Sequence, residues 1–414
     1  MVNVRPFQAV RPNEKLADKI ASLPYDVLSS AEARELGKAN PYSFLHIDKA
    51  EIDLEESLSP YDDLVYLKAK DNLRAFLEKE WLKKDVRAGF YIYELQMNGR
   101  AQTGIVASTA IDDYISQKIK KHEFTREEKE LDRIRHVDTC DANTSPIFLT
   151  YRGKAEINEL IAQFKASHEP IYDFKSFHEV THKVWHIDES ELVTSLETAF
   201  ASVPALYIAD GHHRTESAVK VGLKRREAYP NESNLAEFNF FLSVLFPAEE
   251  LEILDYNRVL NVPIPTDFLE QLKPHFDITE KGTTPFKPSK PKQMGLYLNG
   301  RWYAVDAKKE TIKGDVIGSL DVSILQNEIL TKIFDIQDVR RDNRIDFVGG
   351  IRGLAELEKR VDSGEFTIAF AMFPPTMDDL LSVADANEIM PPKSTWFEPK
   401  LLSGLFVNEL ESKA

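Results

Sequence analysis

The sequence predicts an α+β protein in which a mixed β-sheet is flanked by helices. Three observations lead there. Short apolar runs of strand length recur, two pairs of them around Asn-Gly turns; stretches of helical period lie between them; and one apolar strand breaks at Asp210-Gly211 into a helical pattern. At 414 residues the chain is long enough for a substantial core and more than one lobe.

Each element follows from local pattern. Ala31 to Ala39 reads as a helix that Ser29 or Ser30 caps. A longer helix is expected after Ser59-Pro60, with Asp62 in its first turn and Leu73, Phe76, Leu77 and Trp81 on its later apolar face. The period then changes. Residues 90–95 and 105–107 flank Asn98-Gly99, the strongest short hairpin signal. Gln117 to Arg135 is densely charged and partly helical, and Ile157, Leu160, Ile161 and Phe164 mark another amphipathic helix. Phe240 to Phe246 reads as a buried strand. Prolines punctuate the region beyond it, where 295–298 and 302–305 surround Asn299-Gly300 as a second hairpin. Strand–turn–helix logic returns at Ile345 to Gly350 and Phe366 to Phe373. The expected organisation is a main domain over 1–260, an inserted β-rich subdomain over 261–320, and a segment 321–414 returning to the main domain.

The densest chemistry sits in Pro204 to Ser217. Leu206, Tyr207 and Ile208 form the heart of a buried strand, and Gly211 tolerates the angles of a tight turn. From about His213 a helix follows, its apolar face made by Ala218, Val219, Val221 and Leu223, ending at Gly222 or at Lys224-Arg225-Arg226. His212, His213 and Arg214 therefore gather where backbone N–H groups lack partners and the helix dipole favours an anion. A structural helix would rather begin on Asp, Ser or Thr, and Asp210 as cap with solvated histidines is the plainer reading. Three basic groups at that end make a phosphate site an equal alternative.

Ala209 to Arg214, Ala-Asp-Gly-His-His-Arg, resembles the signature of the domain of unknown function 1015 family. Arg5-Pro6-Phe7, Leu23 to Val27, Asn40 to Leu45, His122 to Thr125, Asp132-Arg133 and Met390 to Phe397 fit it too, so the likeness spans the chain. The Gly-His-His-Arg element is also similar to a phosphate-gripping Gly-x-x-Arg of the ParB/sulfiredoxin superfamily, whose free-serine kinase uses Asp-Gly-His-His-Arg. His212 stands where sulfiredoxins carry cysteine, which argues against sulfinic-acid reduction. The resemblance implies a ParB/sulfiredoxin-like core and a nucleotide-dependent phosphotransferase acting on a small-molecule hydroxyl, with free L-serine giving O-phosphoserine as precedent. ATP or ADP with Mg²⁺ would be its cofactors. The alternatives are a nucleotide-binding regulatory module of ParB-like type and a metal-dependent phosphohydrolase.

In that reading Gly211, His212, Arg214 and Thr215 cradle phosphates. Asp210 holds Mg²⁺ or takes the hydroxyl proton, and His213 assists. His122 and Glu123 begin like the zinc-protease pattern His-Glu-x-x-His, but Arg126 occupies the position of the second histidine. Read alone, the pair suits an exposed part of a charged helix; with the family pattern, both are expected to face the cleft of Asp210, His122 on the nucleotide and Glu123 in catalysis. Asp26 serves either a turn or catalysis. Lys393, Ser394 and Thr395 follow two prolines and, by resemblance, help line the nucleotide site. A net charge of −16 argues against a general nucleic-acid surface. The single cysteine, Cys140, the lack of an apolar leader and the lack of any membrane-length run predict a cytoplasmic protein whose partners are small molecules.

Overall fold

The structure, a computed structural model, describes residues 1–410 and divides into two units. The first comprises residues 1–251 with the stretch that begins at Pro399; the second is Glu252–Glu398.

The first unit is built on a nine-stranded mixed sheet. At its centre Phe240–Pro247, buried at every position, pairs antiparallel with Arg100–Ala110 and parallel with Ile147–Tyr151. A strand covered on both faces reads as a continuous apolar run, as this one does. Asn98 and Gly99 both adopt positive φ (52° and 79°), the geometry of a two-residue hairpin turn, and join Phe90–Met97 to Arg100–Ala110. Beyond Ile147–Tyr151 lie Leu206–Asp210, antiparallel to it, and the two-residue strand Ile119–Lys120, parallel to Leu206-Tyr207. Leu149, Ile208, Phe241 and Leu245 fill the core with Ile157, Ile161 and Phe200 from the flanking helices Ala155–Ser167 and Ser190–Ala201.

A second core lies in the N-terminal helical region, where Val10, Phe44, Ile47, Val65, Leu73 and Phe76 pack with Val407. The chain end is stitched there by backbone: Val10 and Val407 exchange N–H···O bonds of 2.9 and 2.8 Å, and Ser22 and Ser403 do likewise. Helix Ser30–Ala39 starts on a complete capping box of Ser29 and Glu32. Helix Asp63–Glu78 starts later than Ser59-Pro60 suggests, because the Asp62 carboxylate accepts the Leu64 N–H at 2.9 Å and takes the cap position. Trp81 falls outside that helix, tilted against Tyr42 and edge-on to Phe76.

The charged stretch 117–135 is helical in part, as expected, in Glu127–Cys140; residues 121–126 form a loop, so His122 and Glu123 do not lie on a helix. One further expectation is corrected. The motif helix runs from His212 to Ala228, straight through Gly222. That glycine is a packing contact: a Cβ there would lie 2.5 Å from the Phe238 carbonyl oxygen. Leu223 is exposed (40 %), because Val221 and Gly222 carry the buried side of that turn.

The second unit holds a six-stranded antiparallel sheet. Its Asn299-Gly300 hairpin, Gln293–Leu298 with Arg301–Ala307, is flanked by Phe276–Gly282 and by Ile368–Ala371. Tyr256–Leu260 and Ile345–Gly349 complete it. Strands on both sides of residues 261–320 thus share one sheet, and only the stretch from Pro399 rejoins the first unit. No helix among the described residues is long and apolar enough to cross a membrane.

Candidate anion-binding and catalytic site

The site grows from the end of strand Leu206–Asp210. Its register against Ile147–Tyr151 slips between Ile208 and Asp210, so Ala209 is an extra residue that re-aims Asp210 at the sheet's end. Gly211 follows at φ +91°, which L side chains rarely adopt, and turns the chain into the helix. The Gly211 carbonyl accepts both the Thr215 N–H (2.9 Å) and the Thr215 hydroxyl (3.1 Å), closing the first turn. No side chain caps this N-terminus and no acidic residue lies in its first turn. The amides of His212, His213 and Arg214 there are the donors a helix start offers to an anion.

Each motif side chain has a defined neighbour. Asp210 accepts the Gly211 N–H at 2.8 Å and faces Lys400 Nζ at 3.4 Å. Burial opposes its charge, but Lys400, Arg214 and His212 outweigh burial and hold the carboxyl far below the usual range. His212 meets His122 edge to face, with ring centroids 4.6 Å apart, and its Nε2 faces the His122 amide at 3.5 Å. Burial pushes His122 down to about 4, and burial with the neighbouring His122 pushes His212 well below its ordinary value, so both rings are neutral at pH 7. His213 Nε2 accepts the Arg126 N–H at 3.0 Å; burial also lowers its basicity.

The Arg214 guanidinium packs beneath Gly211, where a Cβ would come within 3.2 Å of Nε. One arm donates to the Pro146 carbonyl and the other lies 3.8 Å from the Asp26 carboxylate. Nε is buried without a hydrogen-bond partner. Arg214 therefore fastens three segments, the Tyr25–Val27 turn, Pro146 and the Gly211 turn, around the helix start. Burial opposes its charge, yet Asp26 and Asp210 raise its pKa above the ordinary value.

Sequence reasoning marked Leu23 to Val27 and Asp132-Arg133 as family segments but gave the layer behind the motif no role. Arg133 stacks on Tyr25, its Cζ 3.9 Å from the ring centroid, and pairs with Asp132 at 2.8 Å. Asp48 accepts from the hydroxyls of Thr144 (2.7 Å) and Ser145 (2.5 Å). A cavity of about 20 Å³, room for roughly one water, lies between Arg133, Ser145 and Arg214, with Val137 and Ile147 also in its wall. These contacts join residues far apart in the chain, and Lys400 lies 190 positions from Asp210. No spacing rule finds such partners.

Thus the structure gathers Asp26, His122, Glu123 and Asp210 to Thr215 in the first unit. Lys393, Ser394 and Thr395 belong to the second unit. There Lys393, at φ +58°, offers its carbonyl to Arg258 at 3.0 Å, and the Ser394 hydroxyl bonds the Pro391 carbonyl.

A family model described as "Protein of unknown function (DUF1015)" matches residues 4–323. The chain belongs to that family. No curated protein matches it. Among solved structures it is similar to a conserved hypothetical protein from Pyrococcus furiosus, at 15% identity and a TM-score of 0.35, over 74% of this chain and 95% of that one. A free serine kinase in complex with AMP gives 14% identity and a TM-score of 0.37, over 74% and 91%. SbnI with a C-terminal truncation, from Staphylococcus aureus, gives 11% and 0.38, over 75% and 90%. At these scores any functional reading rests on the chain's own residues.

Proposed function

We propose that the chain is a nucleotide-dependent phosphotransferase that moves a phosphoryl group to the hydroxyl of a small molecule, with free L-serine the first acceptor to test. The observation that carries this reading is the helix start at Gly211: an uncapped set of N–H donors over a buried, charged Arg214, beside an ionised Asp210. Phosphoryl transfer asks a protein for little covalent chemistry; it needs phosphates held, charge neutralised and the acceptor oriented.

In this reading the amides of His212, His213 and Arg214 hold the phosphates of ATP or ADP, since the Gly211 N–H is already donated to Asp210, and the Arg214 guanidinium supplies the fixed positive charge beneath them. Thr215 keeps the turn closed. Neutral His213 donates or accepts a hydrogen bond at the transferring group. Asp210 would suit Mg²⁺ as an ionised oxygen donor, although Lys400 competes for it, and the ion would supply positive charge to neutralise the phosphates. Asp26, Glu123 and Asp210 are the carboxylates at hand to receive the acceptor proton.

The test is incubation with Mg²⁺, free serine and either ATP or ADP, reading phosphoserine by mass-resolved chromatography. Product that vanishes in His213→Ala and Arg214→Ala supports the reading. Phosphate released equally without any acceptor favours a phosphohydrolase, for which the neighbouring His122, Glu123 and His212 give a specific reason.

A further inference from the structure

His122 and Glu123 follow Ile119-Lys120 in a loop and His212 starts the helix after Leu206–Asp210; the parallel pairing of Ile119-Lys120 with Leu206-Tyr207 sets these strand ends side by side. One imidazole nitrogen from each histidine and one carboxylate oxygen all lie within 4.8 Å of one another. Both histidines are buried (1 % and 6 % exposed), while Glu123 is half-buried at the rim. An acidic surface cluster does not look like this. Two imidazoles are turned toward each other in the interior, with a carboxylate closing the third side.

The bonding around the rings has the form that metal ligands take. The His122 ring donates to the Ile208 carbonyl, which fixes its tautomer and makes the other ring nitrogen the basic one. His212 Nε2 aims its lone pair at the 122–123 loop, touching the His122 amide only at 3.5 Å, the outer limit of a hydrogen bond. Asp210 lies next in sequence to Gly211 and adds negative charge nearby, partly offset by Lys400.

We propose that His122, Glu123 and His212 form a site for one divalent transition-metal ion. Two nitrogens and one oxygen suit zinc, manganese or cobalt; magnesium and calcium prefer oxygen ligands alone. The ion differs from any Mg²⁺ carried in by a nucleotide, and the site stands whether or not phosphoryl transfer occurs. It assigns Glu123 to the metal, leaving Asp26 and Asp210 for proton transfer.

The experiment uses the full chain, stripped with a chelator, gel-filtered and titrated with Co²⁺ alone while visible d–d absorption is recorded. Zn²⁺ stoichiometry is measured separately by elemental mass spectrometry. The expected result is one ion per chain with a cobalt spectrum, undisturbed by millimolar Mg²⁺. Glu123→Gln, a rim substitution that keeps shape, weakens binding by at least about tenfold, and His122→Asn does the same if it folds. No stoichiometric binding in the wild type overturns the proposal. So does stoichiometric binding that is unchanged in folded Glu123→Gln, which places the ion elsewhere. Neither readout depends on kinase activity, so this proposal and the phosphotransferase reading can fail separately.

Discussion

At the scale of single residues, Gly211 and Arg214 are one device. The backbone at φ +91° suits glycine, and the absent Cβ leaves room for the guanidinium below it. Gly211→Ala therefore strains the turn and crowds Nε together, and equilibrium urea unfolding is expected to show a loss of about 1–2 kcal/mol. Arg214→Ala leaves the Pro146 carbonyl without its donor and removes the cation beside Asp26, with an expected loss of about 1–3 kcal/mol by the same measurement. Either variant at wild-type stability contradicts the fastening role. The motif from Asp210 to Thr215 was legible in the sequence because a strand, a glycine and a helix start are encoded contiguously. Lys400 on Asp210 and Pro146 on Arg214 were not, since tertiary contacts between distant segments leave no local pattern.

At the scale of elements, Gly222 sets propensity against packing. In an exposed helix Gly→Ala stabilises by nearly 1 kcal/mol. Here the new methyl would sit 2.5 Å from the Phe238 carbonyl, a backbone atom that cannot swing away. Gly222→Ala is expected to destabilise by about 1–3 kcal/mol, and a raised melting temperature would show the helix to be less tightly seated. The charged stretch before residue 135 teaches a related lesson. Charge density suggested a solvated helix. In the fold, Glu130 and Asp138 of Glu127–Cys140 bind Lys220, Lys224 and Arg225 of the motif helix, and the Ser217 hydroxyl bonds the Glu130 carbonyl at 3.1 Å. Composition does not distinguish a charged face that meets water from one that meets a charged partner. The hairpins were legible because Asn-Gly dictates its own turn geometry.

At the scale of the whole molecule, the first unit is discontinuous in sequence, closed by the return of the chain from Pro399. Deleting that return removes the Val407 and Ser403 backbone bonds and the Asn408–Asn143 pairing. Thermal unfolding of the truncated chain is expected to lose the first unit's transition or shift it strongly downward; an unchanged transition would contradict this closure. Acid sensitivity is set partly by His182, buried between Tyr93 (2.8 Å) and Ser176 (2.7 Å) and pushed by burial down to about 3. Below about pH 6.5 the unfolded chain takes a proton at this ring, while the folded chain resists until about 3. Stability is therefore unaffected by this group above that window and falls as pH drops through it, by up to about 1.4 kcal/mol per unit. Urea melts at several pH values should show a shallower acid decline for His182→Asn than for the wild type; equal slopes would remove His182 from the explanation.

The proposed function places nucleotide phosphates at the helix start at Gly211. Isothermal titration of the purified chain with ADP or ATP in Mg²⁺ tests it most directly, with Gly211→Ala and His213→Ala beside the wild type. Saturable one-to-one binding that weakens in both folded variants is the expected result. No heat up to millimolar nucleotide, or binding that both variants leave untouched, would contradict it.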